Sequence, residues 1–268
     1  MLIRNSKFRM FRTLLTIIFS LLIISSFSQE IKLKGIYQGD NLYVMNPFSS
    51  SGVGFCIQEV RVNNRVSTDE IASSAFEIDF SQYHLKMGSP IEVIIKHKEG
   101  CIPKVLNPNV IQAKSTFRIS KIEVGRDKVL RWASTNETGA LDFIVEQHRW
   151  NKWVKIGVVK GKGGTTANKY AFKISPHSGQ NKFRVKQVDH SKKARYSPNA
   201  IYRAMTPQIT FKKSGNTIKF SRATMYEIYD YYGNIVKKGN ADSVDITKLK
   251  AGNYFLNYDN KMDTFKKK

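Results

Sequence analysis

From residue 30 onward, apolar side chains recur at every second position in short runs, and each run is soon cut off by Gly, Asn, Ser or Pro. Period two places alternate residues on opposite faces of a strand, so such runs suit half-buried sheets and cannot form the apolar stripe of a helix. Ile91, Val93 and Ile95 fall on one face, with Glu92 and Lys96 on the other. Tyr170, Phe172 and Ile174 alternate with Ala171 and Lys173, and Val154, Ile156 and Val158 with Lys155 and Gly157. No amphipathic helix interrupts the series, so the fold class is all-β, built as tandem sandwich modules.

Turn residues divide the chain. Asn63-Asn64 suits a tight primed hairpin turn, because Asn tolerates the left-handed backbone such turns need. GKGGTTAN, residues 161–168, reads as a flexible rim loop, and Trp150 and Trp153 flank Asn151-Lys152 at an expected hairpin tip. Three modules result, over residues 29–114, 115–206 and 207–268, with Trp132 as the core tryptophan of the second. They leave no stretch long enough for a separate catalytic domain.

Residues 1–28 have four cations (Arg4, Lys7, Arg9, Arg12), no acid, an apolar run from Leu14 to Ile24, and Ser26 and Ser28 at the end. That order is a secretory leader, with cleavage expected between Ser28 and Gln29. The apolar run is about half the ~20 residues that span a bilayer, which disfavours an uncleaved anchor. The mature chain then carries 40 basic and 21 acidic residues, a charge of +19 that attracts anionic partners. Export argues against nucleic acid, leaving acidic protein surfaces or anionic glycan; an ordinary solvated basic face is the plain alternative.

Cys56 and Cys101 are the two cysteines, an even count that reads as a disulfide in an exported chain, with a free thiol as the alternative. Closing a loop of that length stabilises by roughly 4 kcal/mol in the chain-entropy treatment. Other chemistry is sparse. His84, His97, His148, His177 and His190 are scattered with no zinc-ligand spacing, and no serine sits in a nucleophile elbow. Ser49–Phe55 lacks the Gly-Lys-Ser/Thr of a phosphate loop. The residues therefore predict no enzyme, no metal and no cofactor. They do offer cations beside aromatics: Arg149, Trp150, Lys152, Trp153 and Lys155, together with Arg184, Lys186, Lys193 and Arg195, are the candidate partner-binding face.

The run LRW, FIVEQHRWNKWVKIGVVKGKG and FRVKQVDHSKKARYS, carrying Trp132, Glu146, Gly157, Gly161, Arg184, Gln187 and Tyr196, resembles the fibronectin type III-like modules of exported Bacteroidota proteins. The end of the chain, YEIYDYYGN followed by VDITKLKAGNYFLNY, resembles the C-terminal sorting domains of type IX secretion, with Gly233, Leu249, Gly252 and Tyr254 on the motif. It departs from that family at the front, where TPQITFKKSGNTIKF has no Asn-Pro. Taken as a whole, the chain resembles the small plug proteins at the periplasmic mouth of the type IX outer-membrane translocon. That resemblance implies a non-enzymatic periplasmic protein, associated with the outer membrane through a β-barrel partner. A type IX cargo, displayed on the surface or secreted as an adhesin or glycan-binding protein, is the alternative.

Overall fold

The computed structural model describes residues 29–50 and 52–268; the expected leader lies outside them. Strands dominate, as the period-two pattern requires. In the first module they are β1 (Gln29–Ile36), β2 (Leu42–Met45), β3 (Ile57–Val62), β4 (Arg65–Val66), β5 (Ala75–Ile78), β6 (Pro90–His97) and β7 (Lys104–Val105). They form two sheets, ordered β1-β6-β3-β4 and β5-β2-β7. Leu42 and Val44 on β2, Val62 on β3, and Val93 and Ile95 on β6 are fully buried, as their alternation predicts. Asn63 and Asn64 take φ of 47° and 66°, closing β3 onto β4 in the primed turn. Cys56 and Cys101 are joined in a disulfide with 6.0 Å between their Cα atoms. His97 is buried, with Nδ1 3.0 Å from the Lys98 carbonyl.

Two compact units divide the chain, and the division is not sequential. Gly35–Asp40 and His84–Ile91 join Asn109–Lys268 rather than the strands around them. Gln38 shows why: its side-chain amide donates to the Thr138 carbonyl at 3.1 Å and accepts from the Thr138 hydroxyl at 2.9 Å.

That second unit holds two hydrophobic cores. The middle module contributes β8 (Arg118–Val124), β9 (Val129–Thr135), β10 (Phe143–Arg149), β11 (Lys152–Val159), β12 (Asn168–Lys173), β13 (Gly179–Val188), β14 (Ala194–Tyr196) and β15 (Ala200–Ala204). One sheet runs β12-β9-β8, the other β11-β10-β13-β14 with β15 also on β13. Trp132 is central to the core between them, stacked on Tyr170 and edge-on to Phe143. The tail contributes β16 (Phe211–Ser214), β17 (Thr217–Tyr229), β18 (Ile235–Asp245), β19 (Gly252–Tyr258) and β20 (Lys261–Lys267). Its core gathers Ile218, Phe220, Ile228, Val244, Ile246, Leu256 and Tyr258.

Two local expectations change. The β10–β11 turn residues are Trp150 and Asn151, at φ of 51° and 58°, and Lys152 already pairs with Arg149 in the ladder. A β-bulge lies between Val145 and Glu146 in this pairing, Val145 opposing Gly157 and Glu146 opposing Lys155. The extra residue, Ile156, breaks the alternation, so Val158 is 42 % exposed while Val159 packs on the core.

Candidate functional site

On the outer face of the five-stranded sheet, Glu146 of β10 and Arg184 of β13 are paired residues, with Lys155 opposite Glu146 on β11. The Arg184 guanidinium lies 4.0 Å from the Trp153 ring centre and 4.2 Å from that of Tyr196, held between the two aromatics. Its Nε donates to Glu146 at 2.7 Å, and the Lys186 ammonium reaches the other Glu146 oxygen at 2.5 Å. Trp153, Lys155, Arg184 and Lys186 therefore do share one face, as expected. Much of their charge is already engaged: Glu146, only 3 % exposed, serves two of the three cations. Lys193 and Arg195 sit elsewhere, lining a pocket of about 550 Å³ with Lys114, Ser115 and His190. Arg195 Nε donates there to the Ser115 carbonyl at 2.9 Å.

Arg149 leaves the expected surface altogether. It is 2 % exposed, on the inward side of β10, and its guanidinium donates to Gln147 Oε1 at 2.7 Å, the Ser175 carbonyl at 2.8 Å and the Asp259 carbonyl at 2.9 Å. Burial brings its pKa down to about 10, opposed by the nearby Asp259 charge. Asp259 ends the β19 strand at φ 49° and is itself 1 % exposed. Its carboxylate accepts the Ser178 N–H at 2.8 Å, the Ser178 hydroxyl, and the Ile209 N–H at 3.2 Å, while its own N–H donates to Thr224. Burial pushes the Asp259 carboxyl up, but these hydrogen bonds outweigh it and hold the group below the usual range. The contact thus joins the middle module to the tail through buried charge.

More groups reinforce this junction. Lys152 donates to Glu227 and to the Tyr229 hydroxyl, both at 2.7 Å. Partial burial works against its ammonium, yet those bonds keep its pKa above the ordinary value. His177 is buried, its Nδ1 2.7 Å from the Ser178 carbonyl, and burial together with the Arg149 charge pushes its pKa down. Asn181 bridges Gln147 and the His177 backbone, completing a buried polar network. Sequence reasoning missed Asp259, His177 and Asn181. The available signal was the Asp259-Asn260 pair, a turn dipeptide beside an apolar strand.

The sorting-like residues divide. Leu249, Gly252 and Tyr254 line one open groove of about 800 Å³ with Tyr231 and Tyr232, which are 77 % and 86 % exposed. Gly233 lies apart, at φ 83° in the β17–β18 turn, where Asp230 accepts the Tyr232 and Asn234 N–H groups. Tyr254 stacks on Phe265, its hydroxyl donating to the Lys250 carbonyl at 2.9 Å. Tyr254, Leu256 and Tyr258 form the inward stripe expected of them. Among the described residues, no group of three or more His, Cys, Asp or Glu side chains is placed to hold a metal ion.

Residues 212–268 match the family described as the secretion system C-terminal sorting domain. No curated protein matches the chain. Among solved structures, a tetra-tandem repeat from the extending region of a large adhesion protein is 13 % identical with a TM-score of 0.30, covering 90 % of this chain and 71 % of that one. The chicken CNTN1 FN1–FN3 domains are 12 % identical at a TM-score of 0.24, covering 88 % and 97 %. The fibronectin(III)-like modules of Clostridium thermocellum CbhA are 12 % identical at 0.21, covering 56 % and 92 %.

Proposed function

We propose that this protein is a non-enzymatic component of type IX secretion, held in the periplasm with its tail attached and acting as a stopper at the mouth of the outer-membrane translocon. The observation that carries the reading is the docked tail. An address that is cut away after use needs to separate cleanly from the body before it. Here Arg149 and Asp259, both buried, bind the sorting-like module to the middle one, and separation exposes or strands a charge on each side. Occlusion asks for a rigid body and attraction to the pore rim. Sheets fastened in this way supply the first, and an excess of cations supplies the second, with a salt dependence that follows.

Two measurements on protein from native envelopes test this. Affinity purification is expected to bring down an outer-membrane β-barrel, and intact-mass analysis to find the C-terminus at Lys268. A chain clipped near Met205 and recovered from the cell surface or medium overturns the proposal. That outcome supports the second reading, a surface-displayed or secreted cargo that binds other cells or glycans, which the match of residues 212–268 to a sorting domain favours.

A further inference from the structure

At the junction of middle module and tail, the β10–β11 turn and the β19–β20 turn border a groove of about 430 Å³. Trp150, Asn151, Gln180, Lys182, Asn260 and Lys261 line it. Its polar groups are largely unspent. Among the described residues, the side chains of Asn151, Gln180 and Lys182 have no hydrogen-bond or ion-pair partner. Asn260 uses only its Oδ1, accepting the Trp150 backbone N–H at 3.3 Å, and so keeps its amide donors. Lys261 has a distant carboxylate at 3.9 Å, that of Asp263. No carboxylate lines the groove, and the Asp259 carboxylate next to it in sequence is turned into the buried junction. Exposed Arg203, paired with Gln180 across β13–β15, extends the positive charge.

These groups differ in kind from the face around Arg184, where Glu146 already neutralises two cations. A half-exposed indole offers a flat apolar platform, three amides offer paired donors and acceptors, and two ammonium groups offer counter-charge. The volume lies within the range of about 300–1,000 Å³ typical of small-ligand sites. A sugar ring presents one apolar C–H face and a rim of hydroxyls, and a uronic acid adds a carboxylate. We infer that this groove binds a short acidic saccharide, its ring on Trp150, its hydroxyls on Asn151, Gln180 and Asn260, and its carboxylates on Lys182 and Lys261. The site needs the tail in place but not the stopper role: its failure leaves translocon co-purification untouched, and the reverse also holds.

The test is calorimetric titration of the full mature chain with trigalacturonic acid, and with maltotriose as the neutral comparison. Trigalacturonic acid is expected to bind with roughly millimolar affinity or better, weakening with added salt, while maltotriose binds at least tenfold more weakly. Lys182→Ala and Gln180→Ala, on an exposed strand face, are expected to lower affinity roughly five- to tenfold without altering the melting temperature. Lys155→Ala, on the other face, is expected to leave it unchanged. The inference is overturned by absence of binding, by equal binding of the neutral sugar, or by affinity that responds to Lys155→Ala but not to Lys182→Ala.

Discussion

The guanidinium of Arg149 donates to the backbone carbonyl of Asp259 across 2.9 Å, with both residues at most 2 % exposed. One side of that bond belongs to the middle sandwich and the other to the tail, so its loss is felt by both.

Arg149→Ala is expected to destabilise the chain by about 3–5 kcal/mol, because Asp259 loses the cation beside it and three acceptors lose their donor. Arg149→Lys keeps the charge but cannot supply the fork of donors, and is expected to recover less than half of the loss. Urea unfolding gives the magnitude, and limited proteolysis is expected to release the tail first. A change under about 1 kcal/mol in Arg149→Ala contradicts the buried junction.

Acidification is expected to weaken the fold in two stages. His177 is held neutral by burial and by Arg149, so its folded pKa lies below the ordinary value of about 6.5. Between those two values the unfolded chain binds more protons, and stability falls as pH drops below about 6.5. Asp259, lowered from its ordinary value, contributes stability above about 3.9 that is lost as pH falls toward its folded pKa. Melting curves from pH 8 to 3 read both stages, with pH settings chosen to bracket roughly these values. His177→Gln is expected to remove the first stage and leave the second, and persistence of the first in that variant rules His177 out as its source.

Reduction of the Cys56–Cys101 bond is expected to destabilise the first unit by about 4 kcal/mol, given a separation of 45 residues. Hydrogen exchange before and after reduction checks this. Protection is expected to fall in β3 and β6 and to stay unchanged in β17 and β19; a uniform fall counts against it.

Two glycines of the middle module are expected to respond unequally to alanine. A Cβ on Gly161 meets the Leu141 carbonyl oxygen at 2.1 Å, which is backbone and cannot swing aside. On Gly157 it meets the Phe172 ring at 2.3 Å, a side chain with some freedom to tilt. Gly161→Ala is expected to cost about 3 kcal/mol and Gly157→Ala about 1–2 kcal/mol. Thermal melts rank them, and the reverse order contradicts the close approach at Leu141.

Much of the architecture was legible because its causes are local. Alternation at Ile91, Val93 and Ile95 states which face is buried with no knowledge of the neighbouring strand, and the Asn63-Asn64 dipeptide carries its own turn. The bulge at Ile156 was not legible, since the need for an extra residue is set by the partner strand. Trp150 was assigned to the flank of its turn because a bulky residue rarely takes a positive φ. The expected binding face was half legible. Alternation put Arg184 and Lys186 outward, but it could not show Glu146 beneath them. Arg149 was misplaced for the same reason at longer range: its acceptor lies 110 residues away, and a buried arginine cannot be told from a solvated one until its partners are known.

That span has a temporal consequence. A ribosome releases the N-terminal end first, so Arg149 exists for 110 residues of synthesis before Asp259 follows. Throughout that interval the middle sandwich carries an unfinished, water-seeking seam along β10, and its last cooperative step waits on the final hairpin. Folding order is thereby coupled to chain completion: a truncated product cannot pass as a mature one.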